Sequence, residues 1–198
     1  MKTVALAGGI GAGKTAIAER LSSRGWPVID ADVIARKVVA KDEPAWRAIR
    51  DAFGTAALDA DGEIDRKYVA DVVFHDPSAL RRLNYMTHGH IGNEIVRELD
   101  ASSGPAVFVA LPLFRSEHRA LFHLDQVWAV LVEPTTALKR LCTLRGLSED
   151  DARARLAVQM SNDERAALAD LVFWNEGTLD DLFAQLDAAL VGLGVGRD

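Results

Sequence analysis

The sequence predicts an α/β protein built on a parallel sheet, and three observations carry that prediction. Short apolar runs alternate with longer stretches of helical periodicity along most of the chain. Strands alternating with helices imply a parallel sheet covered on both faces. A glycine-rich turn, GGIGAGKT at Gly8–Thr15, joins the first apolar run to the first helical one, and ligands of such sheets bind at strand C-termini.

Each element has its own local warrant. Thr3–Ala7 is apolar, short and ended by glycines, which reads as a buried strand. Ala16–Arg24 follows as a helix, with Ile17 and Leu21 on one face and Gly25 placed to stop it. Pro27-Val28-Ile29 is a second strand, delivering Asp30-Ala31-Asp32 at its end. Further strands are expected at Ala106–Leu111, Val127–Val132 and Leu171–Trp174. Helices are expected over Pro77–Leu99, Thr135–Leu144, Glu149–Ala167 and Leu179–Leu190. The stretch Asp42–Leu99 holds no convincing strand and reads as a helical insertion, in which Asp59-Ala60-Asp61-Gly62 is a surface turn. The tail Gly192–Asp198 reads as frayed. Trp128 and Trp174, in apolar runs, are assigned to the core; Trp46 is assigned to packing, with an acceptor pocket as the alternative.

Composition narrows the function. A chain of 198 residues suits one domain with a modest insertion. A net charge of −6 argues against a nucleic-acid-binding face. The single cysteine, Cys142, allows no intrachain disulfide and suits a reducing cytoplasm. No apolar stretch approaches the roughly 18 residues of a membrane span.

Gly8, Gly13, Lys14 and Thr15 satisfy G-x-x-x-x-G-K-[ST] in the strand–turn–helix context that the chemistry requires. Glycines let the backbone wrap until several N–H groups point at one phosphate, and the helix adds its positive end. Gly9, Ile10, Gly11, Ala12, Gly13, Lys14, Thr15 and Ala16 are therefore the candidate nucleotide-binding residues. Lys14 is suited to the β- and γ-phosphates, and the Thr15 hydroxyl to Mg²⁺. Two other readings fail: Lys14 stands where a dinucleotide fingerprint needs glycine, and no N-K-x-D guanine motif is present. A kinase-type ATP site remains.

With these residues assembled, the chain resembles dephospho-coenzyme A kinases, which move the γ-phosphate of ATP to the ribose 3′-hydroxyl of dephospho-CoA in the last step of CoA synthesis. The resemblance rests on LAGGIGAGKT, on VIDADVIAR at Val28–Arg36 and on DGEIDRKYVADVVF at Asp61–Phe74. It continues through Leu83–His88, VFVALPLF at Val107–Phe114, GLSEDDARARLAVQ at Gly146–Gln159 and ADLVFWNEG at Ala169–Gly177. Departures are concrete. Ala7 replaces a Ser or Thr, Thr15-Ala16 replaces a Ser-Thr pair, and His88-Gly89 replaces His-Pro. Pro112-Leu113-Phe114-Arg115 disturbs a segment that ends in an acid, with Glu117 the nearest substitute, and Leu144 stands where Arg is common.

The resemblance implies a P-loop kinase three-layer fold over 1–198, a single domain with an acceptor-binding insertion at about 42–100 and a lid at about 140–160. It makes Asp32 the candidate base, against the alternative that Asp32 caps a helix beginning near Val33. Arg140 is assigned to the phosphates, with Arg145 second; Asn175 lies in the segment near the adenine. Arg36, Arg66 and His88 are implied on the acceptor side, and Asp30 in holding Mg²⁺ through water. ATP and dephospho-CoA are the implied partners, with Mg²⁺, no nucleic acid, no membrane, and a monomer or weak homo-oligomer. Two other readings stay open: a kinase for another small hydroxylated metabolite, such as a nucleoside or shikimate, and a nucleotide-binding switch without phosphotransfer.

Overall fold

A computed structural model describes residues 1–194, so the last four residues of the tail read as frayed lie outside the described residues. The chain divides into two compact units, Met1–Asp30 with everything from Ser102 onward, and Ala31–Ala101.

The first unit holds the sheet. Its strands are β1 (Lys2–Gly8), β2 (Val28–Asp30), β3 (Ala106–Ala110), β4 (Gln126–Leu131) and β5 (Leu171–Trp174). They lie in the order β2-β3-β1-β4-β5, and every pairing is parallel. Central β1 is buried from Val4 to Gly8's threshold at Ala7, and β3 is buried throughout, which explains why both read as unbroken apolar runs. Register sets Val4 beside Phe108 and Gly8 beside Val130. On one face Trp128 stacks at a tilt 5.5 Å from Phe108 and meets Phe173 edge-on at 5.6 Å.

Helix α1 (Lys14–Ser23) covers this face with Ile17 and Leu21, both fully buried. Each buried side chain of this size stabilises the fold by about 1.5–3 kcal/mol. The last helix, Leu179–Gly192, adds Leu182, Leu186 and Leu190 at helical spacing to the same cluster. Strand β5 is an edge, and its exposed backbone at Trp174 is satisfied by Gln185, which accepts from the Trp174 N–H at 3.0 Å and donates to its carbonyl at 2.9 Å. That edge position overturns the core assignment of Trp174, which is 47% exposed, whereas Trp128 is fully buried.

The second unit is helical. It contains α2 (Ala31–Lys37), α3 (Pro44–Phe53), a 3₁₀ turn at Thr55–Ala57, α4 (Arg66–His75) and the long α5 (Pro77–Ala101). Helices α2, α3 and α4 all pack on α5, and the compact unit they form runs from Ala31 to Ala101. The Asp59 carboxylate accepts from the N–H groups of Asp61 and Glu63, closing a turn bracketed by a Leu58–Ile64 bridge. Trp46 is buried and donates to the Gly62 carbonyl at 2.9 Å, a packing role.

In the first unit β3 is followed by α6 (Glu117–Leu121), and β4 by α7 (Pro134–Arg145), α8 (Glu149–Ala157) and α9 (Asn162–Leu168). The single helix expected over 149–167 is thus two. Ser161 breaks it: its hydroxyl accepts from the Glu164 N–H at 3.2 Å while the Glu164 carboxylate accepts from the Ser161 N–H at 2.8 Å. This reciprocal capping box starts a new helix and re-aims every side chain beyond it. No helix among the described residues is long and apolar enough to cross a membrane.

Candidate active site

The glycine turn links the C-terminal end of central β1 to α1. The end of a parallel strand and the start of the next helix both present backbone groups to the same point. Three other helices, α8, α9 and the last, have a Ser or Thr cap and acids in their first turn. Helix α1 has neither, since Gly13 at its N-cap position offers no side chain and the first turn carries no acid. The N–H groups at the start of a helix have no intrahelical acceptor, so this end is arranged to receive an outside anion. Lys14 is half-buried at the first helical position, and Thr15 is exposed beside it.

The turn is held from behind by Asn175, the one buried polar or charged side chain among the described residues, at 4% exposure. Its amide donates to the Ala12 carbonyl at 2.8 Å, and its own N–H to the Leu131 carbonyl at 2.9 Å. Arg140, on α7, donates to the Asn175 carbonyl at 2.8 Å and to the Gly11 carbonyl at 3.3 Å. Gly13 has φ 101°, and a Cβ there would overlap the Asn175 amide nitrogen. Asn175 and Arg140 were marked by resemblance for the nucleotide; the structure places both on the carbonyls of the turn.

A third support comes from the segment joining α8 to α9. The Gln159 side-chain oxygen accepts from the Ile10 N–H at 3.0 Å and from the Arg165 guanidinium at 3.1 Å. Gly9 admits this approach, because a Cβ there would sit 3.0 Å from that oxygen and 3.2 Å from the guanidinium carbon. Gln159, Arg165, Gly9 and Ile10 line a cavity of about 450 Å³ with Val132 and Trp174. Arg165 was not marked from the sequence. The local signal available was the Ser161-x-x-Glu164 box, which reveals that the helical register changes before it.

The remaining predicted residues fall as follows. Asp30 ends β2 in the first unit, half-buried. Arg145 and Leu144 close α7 in exposed positions, before Gly146. Glu117 opens α6, its carboxyl held below the ordinary range by a backbone hydrogen bond, with a smaller contribution from Arg115. In the second unit, Asp32 and Arg36 are exposed on α2, one turn apart. Helix α2 begins at Ala31, earlier than expected, so Asp32 lies inside the first turn and not at the cap before it. Arg66 opens α4 and lines an apolar cavity of about 290 Å³ with Ile49, Ile64, Val69, Val73 and Leu83. His88 is exposed midway along α5.

The sheet order, the glycine turn on its central strand and the uncapped helix behind it define a P-loop kinase fold. Residues 2–181 match the family model for dephospho-CoA kinase, and the chain belongs to that family. The dephospho-CoA kinase of Streptomyces avermitilis is 42% identical over 184 residues, covering 92% of this chain and 89% of the relative. A crystal structure from Thermus thermophilus superposes with a TM-score of 0.81 at 29% identity, covering 97% of each chain. The dephospho-CoA kinase of Campylobacter jejuni gives a TM-score of 0.72 at 28% identity, covering 98% of each.

Proposed function

We propose that the chain transfers the γ-phosphoryl group of ATP to the ribose 3′-hydroxyl of dephospho-CoA, giving coenzyme A and ADP. The observation that carries the ATP half is the glycine turn leading into an uncapped, acid-free helix start, steadied at Gly11 and Ala12 by Arg140 and Asn175. The acceptor half rests on membership of the family.

In the reaction, a bond forms between the ribose 3′-oxygen and the γ-phosphorus while the bond to the β,γ-bridging oxygen breaks. ADP leaves with the electron pair of that bond, and the hydroxyl proton needs an acceptor. Lys14 and the N–H groups of Gly9, Gly11 and Gly13 to Ala16 bind and orient the phosphates, while the Ile10 N–H is held by Gln159 and the Ala12 N–H by the Gly9 carbonyl. Such positioning supplies most of the catalysis in these transfers. We assign Asp32, in the first turn of α2, as the proton acceptor. Arg140 acts through the carbonyls it holds and keeps the turn in shape, with Asn175. Arg66, at an apolar cavity of about 290 Å³, suits an acceptor with an apolar arm and an anionic end, with Arg36 and His88 as further acceptor-side residues. The segment from about 140 to 160 is the lid of this reading, excluding water from the transferring phosphate.

Magnesium fits this residue set. Among the described residues no group of three or more His, Cys, Asp or Glu could cage a metal ion. The exposed Thr15 hydroxyl and half-buried Asp30 suit an ion that keeps several waters and arrives on substrate phosphates. Bound there, Mg²⁺ would neutralise phosphate charge; Thr15 would hold it directly and Asp30 through water.

The test is purified protein with Mg-ATP and separate acceptors: dephospho-CoA, a nucleoside and shikimate. ADP release stimulated by dephospho-CoA, with coenzyme A identified by mass, is the expected outcome. ADP release with one of the others, and none with dephospho-CoA, would transfer the assignment to that substrate class.

A further inference from the structure

Arg165 is a cation with an incomplete environment. It is half-buried on α9, and among the described residues no carboxylate lies within ion-pair distance of it. The exposed arginines Arg97 and Arg153, which need a partner less, each have one, at 2.6 and 2.5 Å. Its chain neighbour Glu164 is engaged in the capping box, accepting from both the N–H and the hydroxyl of Ser161 at 2.8 Å. Among the described residues, the one hydrogen bond that its guanidinium makes runs to the neutral amide oxygen of Gln159. A guanidinium has five donors in a fixed fork that matches carboxylate and phosphate oxygens, so most of its capacity is unused. Burial also pulls its pKa below the ordinary arginine value, with Glu164 opposing more weakly, as expected for a charge taken from water without a counter-charge.

Its location supplies the missing anion. The guanidinium lies against Gly9, and the Gln159 oxygen that holds it also holds the Ile10 N–H. One acceptor therefore ties the first residues of the phosphate turn and the Arg165 fork into a single preorganised piece beside a cavity of about 450 Å³. Arg140 and Asn175 hold the middle of the turn, at Gly11 and Ala12. Arg165 stands at its first residue, so a row of phosphates following the turn reaches it at one end.

We propose that Arg165 contacts the γ-phosphoryl oxygens of ATP directly and is a catalytic residue of the phosphoryl transfer, with Gln159 positioning it. Charge on those oxygens shifts during the transfer, and a fixed fork that follows them stabilises the transition state more than the bound substrate. The inference rests on the ATP-dependent kinase reading above, and the test keeps the two apart.

The experiment compares wild type, Arg165→Met and Arg165→Lys. ATP and ADP affinities are measured by calorimetry without acceptor, and kcat and KM with dephospho-CoA. In Arg165→Met, ATP binding is expected to weaken at least about tenfold more than ADP binding, the size of a lost charge-assisted contact. Turnover should fall about a hundredfold with KM for dephospho-CoA nearly unchanged. Arg165→Lys keeps the stem and charge, and should recover part of the ATP preference but little of kcat. Equal losses for ATP and ADP, no loss, or an effect confined to KM for dephospho-CoA would overturn the proposal. If Arg165→Met does not fold, Arg165→Lys decides alone: wild-type kcat in that variant refutes the contact. A wild type inactive on dephospho-CoA, with the ATP-over-ADP effect intact, would overturn the acceptor assignment and leave this inference standing.

Discussion

Replacing Gly13 by alanine perturbs the phosphate turn at its tightest point. Gly13 has φ 101°, and an added Cβ overlaps the Asn175 amide nitrogen, which is bonded to the Ala12 carbonyl. Two costs add. The left-handed backbone disfavours any side chain by about 1–2 kcal/mol. Pushing the buried amide off its acceptor costs about 1–3 kcal/mol more, because the group loses its partner without regaining water. The total is about 2–5 kcal/mol, against the usual total stability of about 5–15 kcal/mol. Gly146 is the control: its φ is 65°, and nothing lies within 4 Å of a Cβ placed there. Gly146→Ala should therefore show only the backbone term, about 1–2 kcal/mol. Urea unfolding followed by far-UV circular dichroism reads both. An Asn175→Ala background removes the overlap, so Gly13→Ala should cost less there than in wild type, a coupling that a double-mutant cycle measures. A Gly13→Ala penalty no larger than that of Gly146→Ala, unchanged by Asn175→Ala, would refute the claim that Asn175 fixes the turn.

Three further outcomes are expected. Lys14→Ala and Asp32→Asn should each lower turnover at least about a hundredfold; near-normal turnover of Asp32→Asn would reduce Asp32 to an acid in the first turn of α2. Glu94 is held at about 2, below its ordinary 4.5, first by the hydrogen bond from Arg97 and then by that from Lys37. Because the folded value is the lower one, this stabilisation is complete above 4.5 and is lost as pH falls toward 2. Wild type should thus lose stability over that window more steeply than Glu94→Gln in urea titrations, and parallel losses would contradict the assignment. Ser161→Ala removes the cap of α9 and should cost about 1 kcal/mol; an unchanged urea midpoint would mean that α9 is held by packing alone.

Much of the fold was legible because its strands are apolar, and the central β1, β3 and β4 are buried on both faces. Such strands appear as apolar runs with sharp ends, and Leu171–Trp174 was read to the residue. What the same runs conceal is which strand lies at an edge. Trp174 looks like Trp128 in sequence, yet one is 47% exposed and the other fully buried, because β5 has a neighbour on one side only. Helical periodicity hid the break before Ser161 for a similar reason: residues on either side fit a helix, and the cap that separates two helices is a local hydrogen-bond pattern superimposed on that periodicity.

By itself the sequence determined the chemistry of the turn: which residues are glycine, that a lysine and a hydroxyl follow, and that a strand and a helix flank them. Those are local requirements, met within a few residues. Tertiary structure decided what surrounds it. Asn175 reaches Ala12 across 163 residues of chain, and Gln159 reaches Ile10 across 149. Parallel strands β1, β4 and β5 bring those segments to one end of the sheet, and no spacing rule links positions joined only by strand register. The same assembly leaves Arg165 half-buried beside Gly9, where its unused donors face the phosphate turn.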